Sequence, residues 1–329
     1  VGTGPYKFVK YVTDQYIEYD RNPLSWDDKP RPDKLFMRIA SPEVAIVSLQ
    51  KGELDLVNPL ALTEVARLKG LPKIEVVEAK NNAQFYGLER NFYVKDGIWR
   101  NPKAVQGLLY AIDRQAYVDT ILQGYGVVRN SFYDGTPYAC PTMKKYTYDP
   151  AQAKKLWEEV GISKDKVISF MAWPGIKARM DFLPIAQEFV RKLGYRSEVD
   201  FIDNALITNY VEGKGPRGKD WDFHVLLFGA GSDPGNPAAF LDPTSTSNWG
   251  YRSWPESPGA DGKKKPGWVY DNPKMTELFK QGARESDPAK RTAIYQQADC
   301  IWNEEMPAIM IASPSFMIAR STRLQGVDW

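Results

Sequence analysis

The glycine-rich loop 229–243, GAGSDPGNPAAFLDP, is the stretch whose residue types are best suited to holding a ligand. It directly follows the apolar run WDFHVLLF and carries the acids Asp233 and Asp242. Ligands of open parallel sheets bind beyond the carboxyl ends of the strands. If the apolar run is such a strand, this segment is a ligand loop, with backbone amides and a carboxylate available to a solute.

Motifs for enzymatic chemistry are weak in this chain. GKGPRGK, residues 213–219, has the G-x-x-x-x-G-K spacing of a phosphate loop, but Asp220 follows where Ser or Thr is required. His224 is the single histidine and lies in an apolar run, so a catalytic triad or a histidine metal cluster would rest on it alone. A packed strand histidine is the preferred interpretation. Two acids such as Asp233 and Asp242 could pair for glycoside hydrolysis only if the fold brings them together.

Cys140 and Cys300 are the only cysteines, too few and too far apart for a zinc knuckle. No metal and no cofactor is therefore expected. The two thiols are either free and buried or, in an oxidising compartment, joined in a disulfide that closes a long loop. The chain-entropy model values such a disulfide at roughly 5 kcal/mol.

Composition indicates an ordinary globular chain of about two domains, with 329 residues, 43% hydrophobic residues and a net charge of +2. The basic run 263–265 lies among Gly and Pro without interleaved aromatic residues, which favours a solvated loop over nucleic-acid binding. Apolar runs are all shorter than the roughly 20 residues that cross a bilayer. The chain opens abruptly in strand-like alternation, as if cut or processed from something longer.

Alternation and capping signals predict the elements that would position these residues. Residues 6–21 read as a hairpin turning at 13–15, followed by a strand at 33–40, a helix from Ser41 to Gly52, a strand, a short helix from Thr63 and a strand ending near 80. Asx-Pro pairs predict four helix starts, at Asn101, Asp149, Asn272 and Asp287. We expect the first of these helices to end at Gly124.

Three apolar runs, KVISFMAW, YRSEVDFI and DFHVLLF, read as strands, and the helix PIAQEFVRKL separates the first two. A strand, a crossover helix and a second strand imply a parallel unit. The ligand loop then lies beyond a carboxyl strand end of an α/β sheet.

Five blocks in order resemble the family 5 extracellular solute-binding proteins, the dipeptide and oligopeptide receptors of ABC importers. They are GTGPYKFVKYV with YDRNPLSWDDKPRPDKLFMRIA, LQKGELDLVNP, NPKAVQGLLYAIDRQAYVDTILQGYG, YTYDPAQAKKLWEEVG and ESDPAKRTAIYQQADCIWNEEMPAIM. The resemblance covers nearly the whole chain. It implies a two-lobed α/β periplasmic-binding-protein fold of class II, the Venus-flytrap type, incomplete at the amino end.

The same resemblance implies lobe I in residues 1–84, lobe II in 85–306 and a return to lobe I in 307–329, with AQFYGLERN and EEMPAIMIAS as the crossing strands. It implies a non-catalytic periplasmic or extracellular receptor, a monomer that delivers a peptide to an ABC permease. In peptide-binding relatives an aspartate after the aromatic of the ligand loop pairs with the ligand's amino group. That place falls near Gly231 here, and the nearest acid is Asp233.

We therefore expect Asp233 to be the polar anchor, with aromatic side chains as cleft walls. The expected ligand-binding residues are Phe85, Trp173, Phe228, Gly231, Asp233, Trp249 and Tyr251. For each ring, a place in the core is the alternative. Sugar or opine-like ligands are alternatives to peptide, and a hydrolase or a sensor module is the alternative of a different class.

Overall fold

The computed structural model describes residues 3–26, 32–79, 84–91, 97–172, 177–206, 221–229, 256–258, 264–266 and 272–325. The chain divides into two compact units. One comprises Val1–Glu78 with Phe316–Trp329, and the other comprises Ala79–Ser315. The division into lobes 1–84, 85–306 and 307–329 stays a prediction about the receptor architecture.

An antiparallel sheet opens the first unit. Strands β1 (Tyr6–Val12), β2 (Tyr16–Arg21) and β3 (Lys34–Arg38) pair in that order. Asp14 takes a left-handed conformation, φ 57°, in the turn between β1 and β2, as its residue type tolerates. The predicted hairpin and the strand after it are confirmed.

A second sheet of the first unit packs with two short helices. Helix α1 (Pro42–Lys51) begins where the Ser41 hydroxyl accepts from the Val44 amide, and it ends at Gly52, φ 75°. Strand β4 (Leu56–Val57), helix α2 (Leu62–Leu68) and strand β5 (Ile74–Ala79) follow. The chain returns in β14 (Phe316–Ser321), which lies between β4 and β5. The predicted cap and stop of α1 are confirmed, and α2 begins one residue before Thr63.

A mixed six-stranded sheet forms the centre of the second unit. Its strands are β6 (Gln84–Arg90), β7 (Gly126–Val128), β8 (Val167–Ala172), β9 (Arg196–Phe201), β10 (Phe223–Gly229) and β13 (Ala308–Pro314), in the order β7-β13-β6-β10-β8-β9. β8 runs parallel to both β9 and β10, which confirms the predicted parallel unit. β6 runs antiparallel to β10 and β13. A separate pair, β11 (Glu256–Pro258) and β12 (Lys264–Pro266), is antiparallel.

Six α-helices of the second unit lie in the described residues. They are α3 (Pro102–Ala111), α4 (Arg114–Thr120), α5 (Pro150–Glu159), α6 (Lys177–Lys192), α7 (Pro273–Arg284) and α8 (Pro288–Glu305). All four predicted Asx caps are confirmed, because each Asx side chain accepts from an amide of the first turn. The prediction of one helix from Asn101 to Gly124 is wrong. Ile112 is extended, and the Asp113 carboxylate accepts from the Ala116 amide and so starts α4 afresh.

The pair α3 and α5 shows how closely the helices of this unit approach. Trp157 is fully buried, and its indole nitrogen donates to the Ala104 carbonyl at 2.8 Å. A Cβ at position 107 would lie 2.4 Å from the same indole. Gly107 is therefore required by the contact between the two helices.

Cys140 and Cys300 form a disulfide across a sequence separation of 160 residues. The alternative of two free thiols is thus excluded. The bond joins α8 to the irregular segment that leads from β7 to α5. In the described part of the chain, no helix combines the length and the apolarity that crossing a membrane requires.

Candidate functional site

The carboxyl-end edge of the six-stranded sheet is the candidate binding site. β8, β9 and β10 are mutually aligned and end there at Ala172, Phe201 and Gly229. β6, antiparallel to β10, begins at this edge, and β13, antiparallel to β6, ends there at Pro314. The strand direction that the sequence predicts therefore directs several loops to one side of the sheet, where ligands of such sheets bind.

Two of the predicted cleft residues meet at this edge. Phe85 and Phe228 are direct register partners on β6 and β10. Directly opposed residues of an antiparallel pair project to the same face of the sheet, so that both rings can line one surface. The placement of their side chains lies outside the described residues, and their role as cleft walls stays a prediction.

The other predicted ligand residues lie outside the described part of the structure. Trp173 is the next residue after the end of β8, and the ligand loop follows the end of β10. The remaining residues of this set are Gly231, Asp233, Trp249 and Tyr251. Their assignments stay predictions.

Phe201 is a residue at this edge that the sequence reasoning missed. It is the last residue of β9, and its side chain is 55% exposed. An aromatic ring exposed at a strand end is unlike the core positions of β8, where Ile168, Phe170 and Met171 are buried. No signal for it was present in the sequence, because alternation in YRSEVDFI places Phe201 on the same face as Tyr195 and Ser197, which are both buried.

A buried carboxylate fixes the other end of β10. Asp222 accepts from the Trp99 indole at 2.5 Å and from the Ser169 amide at 2.8 Å, and it forms an ion pair with Lys166 at 2.8 Å. Buried charges are stable when paired and hydrogen-bonded in this way. Asp222 therefore anchors the start of β10 beside β8.

A buried arginine organises the region beside β13. The Arg114 guanidinium, on α4, donates to the carbonyls of Arg129 at 2.5 Å and Met310 at 2.9 Å, and it also donates to the Tyr146 carbonyl. Burial lowers the pKa of Arg114 to about 10, while the charge of Asp134 opposes the shift. The cation holds α4 and the segment after β7 against the sheet, and its donors are satisfied largely by backbone oxygens.

Asp299 of α8 holds the segment that contains Cys140. It accepts from the Ser131 hydroxyl at 2.7 Å, the Tyr133 amide at 3.1 Å and the Cys140 amide at 2.8 Å. Burial raises its pKa to about 6, although the three donors favour the charged form. The adjacent disulfide and this carboxylate thus fasten one irregular segment to one helix.

Among the residues that the structure describes, no group of three or more His, Cys, Asp and Glu side chains is arranged to hold a metal ion. The titratable groups described above are engaged in hydrogen bonds that tie elements together. The polar chemistry of these buried groups is therefore structural, and the role of the loops at the carboxyl edge stays a prediction.

Comparison with known proteins identifies related sequences along the chain. Residues 1–252 match the family described as bacterial extracellular solute-binding proteins, family 5 Middle. Heme-binding protein A of Haemophilus influenzae is 26% identical over 336 residues, covering 99% of this chain and 57% of that protein. The dipeptide-binding protein of Escherichia coli is 26% identical over 323 residues, covering 95% of this chain and 56% of that protein.

Solved structures share the fold. The periplasmic binding protein DppA from Helicobacter pylori, in complex with the peptide STSA, superposes with a TM-score of 0.76 at 22% identity over 99% of this chain and 60% of that chain. NikZ from Campylobacter jejuni, in complex with Ni(L-His), gives a TM-score of 0.77 at 22% identity over 99% of this chain and 64% of that chain. The chain thus spans somewhat more than half the length of the proteins that it matches, and these are two-lobed periplasmic binding proteins.

Proposed function

Since the chain belongs to the family 5 bacterial extracellular solute-binding proteins, we propose that it forms part of a non-catalytic receptor that captures a peptide in a cleft. The observation that supports this proposal best is that Phe85 of β6 and Phe228 of β10 are register partners. They lie at the carboxyl edge of the six-stranded sheet, immediately before the ligand loop. With both rings turned to the ligand, this register would provide an aromatic surface at the strand ends, next to the point where the chain enters the ligand loop.

Peptide is the ligand class that this site supports best. A di- or oligopeptide offers apolar side chains to aromatic walls and a free ammonium group to a carboxylate. Asp233 would provide that carboxylate, and the glycine amides of the loop would donate to peptide carbonyls. A buried ion pair contributes to affinity only if geometry and further hydrogen bonds offset its desolvation, so Asp233 must act together with these donors.

The ligands named for the relatives include peptides, but they also include other compounds. One relative is called a dipeptide-binding protein, and one solved structure holds the peptide STSA. Another relative is called a heme-binding protein, and another structure holds Ni(L-His). The ligand of this chain therefore has to be argued from its own residues, and the proposal rests foremost on Asp233.

The receptor would act outside the cytoplasm, in the periplasm or at the cell surface, and as a monomer. It would present its solute to the permease subunits of an ABC importer. A disulfide between Cys140 and Cys300 supports this location, because disulfides persist in oxidising compartments. Closure on the ligand would come from hinge rotation where the two lobes join.

The anchor role is tested by calorimetry with the full parent protein and a short peptide. Asp233→Asn keeps the size of the side chain and removes its charge, and we expect affinity to fall at least about 30-fold because the ligand ammonium loses its partner. Asp242→Asn, in the same loop, is the matched control and leaves affinity unchanged. Equal affinity of Asp233→Asn and the wild type would show that the carboxylate is not the anchor.

A further inference from the structure

Arg129 is a buried arginine that follows β7, and only 9% of its surface is exposed. Its backbone is engaged, since its amide donates to the Ile311 carbonyl and its carbonyl accepts from the Arg114 guanidinium. Its side chain makes no hydrogen bond and no ion pair with the residues that the structure describes. A nearly buried cation is thus without a direct protein partner in this part of the chain.

The two other arginines buried among the described residues are paired. Arg90 donates to two backbone carbonyls, both at 2.8 Å. Arg114 donates to three backbone carbonyls and, at 3.0 Å, to the side-chain oxygen of Asn130. Burying a cation without such acceptors costs free energy. Arg129 therefore differs from both in having no acceptor to offset its burial.

Asp134 is the carboxylate whose charge acts on Arg129. Burial lowers the pKa of the Arg129 guanidinium, and the charge of Asp134 opposes that shift. The same carboxylate opposes the lowering of the Arg114 pKa. One of its oxygens accepts from the amide and the side chain of Asn130, at 2.8 and 3.2 Å. One half-buried carboxylate therefore acts on two buried cations, and among the described residues it forms an ion pair with neither.

The Arg129 guanidinium lies against a surface turn. In the turn 133–136 the Thr136 amide donates to the Tyr133 carbonyl at 2.9 Å. Gly135 is exposed and has φ 82°, and a Cβ at this position would lie 2.3 Å from Nη1 of Arg129. No nitrogen of this guanidinium is among the fully enclosed unpartnered atoms of the described chain. Solvent, and with it a small solute, therefore reaches the cation.

We propose that Arg129 is the centre of a binding site for a small oxyanion, a phosphate or a carboxylate, beside the turn 133–136. The planar fork of a guanidinium matches two oxygens of such a group and forms charge-assisted hydrogen bonds with them. The amides of Asp134 and Gly135, which donate to no described residue, are available as further donors. The anion supplies the acceptors that the protein supplies to Arg90 and Arg114.

This site is separate from the candidate peptide site and does not depend on the proposed function. β7 begins at the carboxyl edge of the six-stranded sheet, where Gly126 pairs with Pro314 at the end of β13. Arg129 follows the other end of β7, and its amide bonds to β13 three residues before Pro314. A bound oxyanion at Arg129 therefore lies away from the strand ends that lead into the ligand loop.

Calorimetric titration at constant ionic strength tests the site in the protein as its gene encodes it. Inorganic phosphate and acetate are titrated separately, and we expect saturable binding of one ion per molecule, with the tighter probe identifying the group. Arg129→Gln removes the guanidinium and should lower affinity at least about 10-fold. Arg284→Gln, which changes an exposed arginine of α7, is the matched control and leaves affinity unchanged.

Asp134→Asn gives a gain that a misfolded variant cannot produce. It keeps an oxygen that accepts from Asn130 but removes a negative charge near the anion, so we expect at least about 3-fold tighter binding. The proposal would be overturned if the wild type binds neither probe saturably, or if Arg129→Gln binds as tightly as the wild type. Equal losses in Arg129→Gln and Arg284→Gln would also overturn it, because binding would then reflect overall charge.

Discussion

Asp299 shows how much of this protein's polar chemistry serves its own fold. Its carboxylate is nearly inaccessible to solvent, and hydrogen bonds connect it to Ser131, Tyr133 and Cys140. The raised pKa, about 6, means that burial outweighs those donors and the neighbouring Asp134 adds to the shift. The folded state therefore takes up a proton at this group more readily than the unfolded state does.

The pH dependence of stability follows from that difference. Because the pKa is higher in the folded state, the contribution of Asp299 is fully present below its unfolded pKa and is lost as pH rises to about 6. The slope is at most about 1.4 kcal/mol per pH unit. We expect Asp299→Asn to remove this component between pH 4 and 6, measured by urea unfolding.

Ser131→Ala is a second variant at the same site, and it changes the pKa of Asp299 without removing the carboxylate. It keeps the carboxylate but removes a donor that lowers its pKa, so the pKa rises and the slope extends to higher pH. If Asp299→Asn and the wild type share the same profile, the carboxylate does not titrate in this range and the account of its burial is wrong.

At the scale of elements, the approach of α3 to α5 depends on Gly107. Alanine would favour the helix by roughly 0.5–1 kcal/mol, but its Cβ would lie 2.4 Å from the Trp157 indole. Overpacking of that kind costs about 1–3 kcal/mol. We expect Gly107→Ala to lower the free energy of unfolding, measured in urea.

A double-mutant cycle with Trp157→Phe is the control for this contact. The smaller ring leaves room for the new methyl group, so the double variant should be more stable than the sum of the two single effects predicts. Additive changes in the free energy of unfolding would mean that the side chains at positions 107 and 157 do not clash.

Local elements could be predicted from sequence, whereas their neighbours in the sheet could not. The four Asx-Pro caps, Ser41 and the β1-β2 turn depend on residues a few positions apart, and all are confirmed. The break at Ile112 was missed because the apolar spacing continues through it. β13 lies between β6 and β7, both far away in sequence, and no local pattern reports such a pairing. The exception is the parallel pair β8 and β9, which the crossover helix between them allowed the sequence to predict.

On the scale of the whole molecule, the two compact units contribute different parts of the structure. The second unit provides a sheet whose carboxyl edge carries Phe85 and Phe228, and the first unit contributes two three-stranded sheets. The proposed receptor would enclose its solute, and this chain spans 57% of one relative and 60% of one solved structure. Binding measurements are therefore meaningful only on the protein as the gene encodes it.

Native mass spectrometry of the parent protein, exported and purified without unfolding, tests the central claim most directly. The account predicts a set of retained masses that fit short peptides and that Asp233→Asn no longer retains. A single sugar-like or opine-like mass would contradict peptide capture. Chemical conversion of an added solute, with none retained, would contradict the receptor function itself.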